Sequence, residues 1–219
     1  MGIFLFSLPV TSAFLASLAA LVIITHAVRT APWKALTAPG AFSAWCAFII
    51  LLPLLWRFDV PITGGMALHL LGMPLFVLMF GRQLAITGIA LSVIAYTAIH
   101  EGLWTNLGMN LLLLSVLPAY CGETVMRLTR TYFPRNIFVY LLGNGFFGAM
   151  AMLSTIGLMS LGANELWVVH APTRGDTVAY MLLLAWGESF LTGFLLTIFT
   201  VYRPQWVLTF DDNVYLHGK

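Results

Sequence analysis

Charged side chains are scarce in this sequence: ten Lys and Arg and eight Asp and Glu among 219 residues, or 8%. A soluble domain carries about 25%, so no water-facing surface of ordinary size can be built from this chain. Cysteine is nearly absent. Cys46 lies inside an apolar run and Cys121 near the end of another, where both read as small buried hydrophobes, and neither a disulfide framework nor a Cys-x-x-Cys metal site has support. There is no basic stripe and no zinc-knuckle spacing, which excludes a nucleic-acid partner. No Walker A loop occurs, so any nucleotide hydrolysis has to come from a separate subunit. The Gly-x-Ser-x-Gly elbow and the His-Glu-x-x-His helix are also missing, and the chain is not expected to be an enzyme. The first twenty residues hold neither Lys nor Arg, so they lack a signal-peptide n-region and read as a retained span.

Apolar residues fill the space left by charge. They make up 60% of the chain, and the mean hydropathy is +0.94. They run continuously rather than in dyad alternation, which indicates helices and not barrel strands. The pattern predicts an all-α polytopic membrane protein forming one integral domain over residues 1–219. About seven transmembrane helices are expected, near 3–28, 40–57, 63–80, 83–100, 105–121, 136–161 and 177–202. A tight turn at Gly81-Arg82-Gln83 separates the third from the fourth. With the N-terminus outside, Arg29, Lys34, Arg82, Arg127, Arg130, Arg135, Arg203 and Lys219 collect inside, and only Arg57 and Arg174 stay outside. That asymmetry predicts a cytoplasmic C-terminus. Trp56, Trp104, Trp167 and Trp206 fall near span ends, as interfacial belt residues do.

Polar residues inside such a chain are candidates for function. His69 follows Thr63-Gly64-Gly65-Met66-Ala67-Leu68. On a helix it would share a face with Gly65 and Gly72, where small residues admit a close neighbour. Two readings stand: a packing histidine bonded to a carbonyl, or an imidazole ligand for a transition metal. Asn106 and Asn110, at i and i+4, share one face of a helix start and serve either as interhelix glue or as support for a ligand site. His100-Glu101 precede them in a short polar segment that is either a surface loop or a re-entrant piece, and their acidic mouth would draw cations. His170, near Glu165, has the same status. Glu188 is a carboxylate deep in an apolar run and needs a partner there, either Asn144 across a helix interface, an arginine of another chain, or a relayed proton or cation. The glycines of 143–157 and the ten methionines read as packing.

Several short segments together resemble the CbiM/NikM family, the substrate-binding membrane components of energy-coupling factor transporters for cobalt and nickel. They are Gly40-Ala41-Phe42, Val60-Pro61, the Gly65-to-Gly72 stretch with His69, Leu107-Gly108-Met109-Asn110 with Pro118, Glu188-Ser189-Phe190-Leu191-Thr192-Gly193, and Arg203-Pro204. The resemblance implies a seven-helix fold with an outer N-terminus and a bacterial cytoplasmic membrane location. It also implies separate transmembrane and ATPase partner subunits, and a divalent cobalt or nickel ion as cargo rather than cofactor. It further implies a nitrogen ligand set from the Met1 amine, the second residue's amide and imidazole, and a histidine matched by His69. This chain departs from it at Gly2, where the family has histidine. Met1, Gly2 and His69 still offer three nitrogens, and His100 or His170 is a further candidate. The alternative is a non-transporting membrane subunit that assembles or stabilises a larger complex.

Overall fold

The computed structural model of the protein describes residues 7–62, 66–100, 102–167 and 175–215. Helix α1, Val10–Thr30, starts directly after Pro9. The span expected from residue 3 therefore starts later, because Pro9 sits in extended geometry at φ −55° and ψ 140°. Helix α1 buries a narrow alanine stripe, Ala13, Ala16, Ala20 and Ala27, and turns Phe14, Leu15, Leu18, Leu21 and Val22 outward. That inversion of a soluble helix suits contact with lipid. A 3-10 turn, Trp33–Thr37, leads to α2, Ala41–Leu55, which ends two residues after Pro53.

The stretch after α2 is not helical. Strand β1, Asp59–Ile62, pairs antiparallel with β2, Met66–His69, placing Asp59 opposite His69 and Ile62 opposite Met66. The helix expected over 63–80 is corrected here: Val60 and Ile62 favour extended backbone, and the three residues between the strands contain two glycines, a hairpin signal. Helical geometry resumes only at Met73.

Helix α3, Met73–Ile99, is broken at Gly81, whose φ of 75° and ψ of 173° suit glycine. The break is a reversal. Phe76 Cζ lies 2.5 Å from the position a Cβ on Gly88 would take, whereas residues twelve apart in one straight helix are separated by about 18 Å. The arms 73–80 and 82–99 thus pack side by side, as the tight turn at Gly81 predicts. Helix α4, Trp104–Tyr132, contains a π segment, Leu112–Val116, in which Ser115 donates to Ile86 O at 2.7 Å. Helix α5 begins as the π-helical Val139–Gly148 and continues as Ala149–Trp167, and α6 is Gly175–Tyr202.

Five helices have the length and apolarity to cross a membrane, and the shorter Ala41–Leu55 is apolar as well. Counting the two arms of α3 separately gives seven helical segments of alternating direction, of which the arm 73–80 is too short to cross alone. The arms of α3 form the centre, with Phe76, Val77, Met79, Leu84, Ile86 and Ile89 buried. Close helix crossings are made where side chains vanish. A Cβ at Gly108 would stand 2.4 Å from the backbone of Ser17, and one at Gly145 would stand 3.4 Å from Gly193 Cα.

The chain then folds back over the end where α3 reverses. Leu208 N–H donates to Met79 O at 2.6 Å, and the Thr209 hydroxyl donates to Leu78 O. These bonds satisfy carbonyls that the short arm leaves at its C-terminus. Tyr140, Phe210 and Tyr215 stack with centroids 4.8–5.4 Å apart. Trp206 Nε1 reaches Pro39 O at 3.2 Å, beside Gly40 at φ 78°. Arg82 and Arg127 both pair with Glu123 at this end.

Candidate functional site

The opposite end of the bundle gathers the polar residues singled out from sequence. The arm 73–80 is about 12 Å long, so its N-terminus opens inside the bundle rather than at its edge. Glu188, midway along α6, is buried and accepts from the N–H of Leu71 at 2.8 Å and of Gly72 at 2.6 Å. A carboxylate here meets the positive end of a short helix and two orphan donors together, which compensates its burial. Its partner is not Asn144. That amide instead receives the Thr129 hydroxyl, so the expected bond between Glu188 and Asn144 is corrected. Helix-end chemistry explains the difference: a backbone pair needs no complementary side chain and leaves no sequence mark.

Gly72 caps the arm in left-handed geometry, φ 66°, and a Cβ there would lie 2.7 Å from Leu52 Cδ2. On the other side of Leu71, its carbonyl accepts from Trp56 Nε1 at 2.8 Å. Trp56 is fully buried. It is therefore a core residue holding a loop, and not a belt residue. Trp104 is exposed as a belt residue would be. The Arg57-Phe58-Asp59 break just after Trp56 was the available signal that the chain turns inward there.

His69 ends β2 three residues before that cap, so it sits on extended backbone and not on a helical face with Gly65 and Gly72. It is 4% exposed. Its Nδ1 lies 3.4 Å from Leu70 O, and its ring centroid is 6.0 Å from that of Trp56. Trp56 packs edge-on to Tyr96 at 5.7 Å, and Tyr96 lies against His100 at 4.3 Å. The two histidines thus occupy the same end, one buried and one exposed, linked by a row of rings. A fixed backbone on both sides of Leu71 limits how far the His69 ring can travel.

Asn106 and Asn110 are both buried. Asn106 Oδ1 accepts from Leu8 N–H at 2.9 Å, which ties the chain just ahead of α1 to the start of α4. Met1, Gly2, Glu101, His170 and His217 lie outside the described residues. Among the described residues no three His, Cys, Asp or Glu side chains form a metal-holding group. The described part of the site is therefore one buried imidazole on a clamped loop, a carboxylate that holds the loop, and an asparagine that holds the chain just ahead of α1.

No match is found among curated proteins. Two crystal structures share the fold. One, described as a transition metal transporter, is 18% identical with a TM-score of 0.66 over 92% of this chain and 93% of that one. The other, described as a truncated transition metal transporter, is 19% identical with the same TM-score, over 92% and 98%. The model of the family described as the cobalt uptake substrate-specific transmembrane region matches residues 5–206. That match covers nearly the whole chain, and the family is a transporter component rather than an enzyme. The chain belongs to the CbiM family of membrane-embedded components of metal transport.

Proposed function

We propose that the protein captures a divalent transition metal ion of the cobalt or nickel type at the end of the bundle that carries His69. It does so from the outer face of a bacterial cytoplasmic membrane, with separate coupling and ATPase subunits of the energy-coupling factor kind supplying the energy. The carrying observation is the buried His69 imidazole on a loop clamped by Glu188 and Trp56. The tether from Leu8 to Asn106 supports it, because it fixes the chain just ahead of α1 at the same end. The Met1 amine and Gly2 amide would add nitrogens to that of His69, and the exposed His100 offers a fourth. Neutral imidazole and amine nitrogen suit nickel and cobalt. The excess of arginine at the opposite end supports an outer N-terminus and a cytoplasmic C-terminus. No ATP motif occurs in this chain.

Metal content of the purified full chain, wild type against His69→Ala, tests this. Bound cobalt or nickel in the wild type that falls at least tenfold in the variant is expected; equal, near-zero metal in both overturns it.

A second reading is a non-transporting subunit that assembles a larger membrane complex. The outward face of α6, with Leu183, Trp186, Phe190 and Phe194 exposed, favours it. Its other motive, a Glu188 in want of a partner chain, is removed by the bonds to Leu71 and Gly72. Co-purification in mild detergent separates the two readings. An ATPase partner supports transport, and a stoichiometric partner of another kind supports assembly.

A further inference from the structure

An open cavity lies far from His69, near the arginine-rich end. It is a trough of about 570 Å³ between α4 and α5, lined by Val125, Leu128, Phe133, Phe138, Leu142 and Phe147 among others. Phe133, Phe138, Leu142 and Phe147 are all more than half exposed, so the trough opens sideways to whatever surrounds the bundle. Thr129 and Val139 line it, and they also border a narrow crevice, with no room for a bound group, whose other walls include Arg130, Arg135 and Tyr215. An apolar channel thus runs into a cationic end within one continuous surface.

Among the described residues, Arg130 and Arg135 at that end have no acidic partner. Among the described residues the only ion pairs are those of Arg82 and Arg127 with Glu123. Asp211 and Asp212 lie nearby in the folded-back tail but pair with neither Arg130 nor Arg135. Arg130 is held in place by neutral acceptors, Nε to Tyr215 Oη at 2.9 Å and one terminal nitrogen to Thr209 O at 3.0 Å. Its other terminal nitrogen makes no bond among the described residues. A guanidinium fixed in this way is preorganised for an oxyanion. Helix α5 also starts here, with Asn136 Oδ1 accepting from Val139 N–H at 2.8 Å, and the positive end of its dipole adds to the field.

We propose that this trough and the exposed arginines at its end bind one anionic phospholipid, with an acyl chain along the α4–α5 trough and the phosphate on the surface at Arg135 and Arg130. A basic pocket between helices on the side of a membrane rich in anionic lipid has the matching chemistry. A wholly apolar helix would fill the trough but leave the two arginines without an anion. The site is independent of the metal-capture reading, since none of its residues lies near His69.

The test is thermal unfolding and native mass spectrometry of the delipidated full chain, with phosphatidylglycerol, phosphatidylcholine or inorganic phosphate added. Phosphatidylglycerol is expected to raise the Tm and to stay bound, and phosphatidylcholine to bind about fivefold more weakly, the factor one arginine contributes at an anionic surface. Arg135→Gln should abolish that preference while leaving the lipid-free Tm unchanged. Ala151→Leu, which fills the trough, should weaken retention of both lipids. Equal retention of the two lipids overturns the proposal, as does a preference that survives Arg135→Gln. An inorganic-phosphate shift equal to that of phosphatidylglycerol also overturns it. Lipid retention unchanged by Ala151→Leu, with loss of a co-purifying polypeptide instead, assigns the trough to a protein and overturns it as well.

Discussion

The two ends of the bundle are held together by different means. At the His69 end the fixing contacts are buried and aimed at backbone: Glu188 on two N–H groups, Trp56 on a carbonyl, Asn106 on the N–H of Leu8. At the Arg82 end they are aromatic stacks and partly exposed ion pairs, with Tyr140, Phe210 and Tyr215 under a folded-back tail. A site that must hold one geometry gains from bonds that water cannot replace. A cap facing the aqueous side tolerates bonds that water competes for.

Glu188→Ala should break this comparison most severely. It leaves two buried N–H groups without acceptors, and each unmet group costs about 1–3 kcal/mol. A fall in Tm is expected together with loss of any metal retained through His69. Tyr215→Ala is next, removing a buried ring and the acceptor of Arg130 Nε. About 2–3 kcal/mol should be lost at the low end of the range for large core truncations, read as a lower Tm. Metal content should not change, because the loss lies at the other end. Trp56→Phe keeps most of the ring but leaves Leu71 O without its donor, for about 1 kcal/mol. Its sharper readout is at the site, where metal affinity should fall more than stability does. Arg127→Ala should do least. Its side chain is 72% exposed, and pairs of that kind contribute less than about 1 kcal/mol, so Tm and metal content should both match the wild type. A large effect from Arg127→Ala, or none from Glu188→Ala, would reverse the ranking of the two ends.

Much of the architecture was legible in the sequence. Seven helical segments, the turn at Gly81 and the packing role of the 143–157 glycines follow from hydropathy and small residues, because lipid imposes a simple code on helix faces. What was not legible is the interruption before Met73. Apolar content alone does not distinguish a strand pair from a helix when both are apolar. Thr63-Gly64-Gly65 is a turn signal, but Met66, Leu68 and Leu70 beside it are as apolar as a membrane helix. With His69 placed on a helix, its neighbours were misjudged too. The partner of Glu188 was hidden for the same reason, since a backbone N–H becomes available only where a helix starts. The bond of Asn106 to Leu8 joins residues 98 apart in sequence, and no spacing argument reaches that far.

The reversal at Gly81 bears on how the protein enters its membrane during synthesis. The 73–80 arm has eight helical residues, well short of the roughly twenty needed to partition into lipid unaided. It has to wait for 82–99 and enter with it as a paired unit, the later arm drawing in the earlier one. Arg82, placed at the bend, resists transfer across the bilayer and so anchors the pair while the remaining chain is still being made.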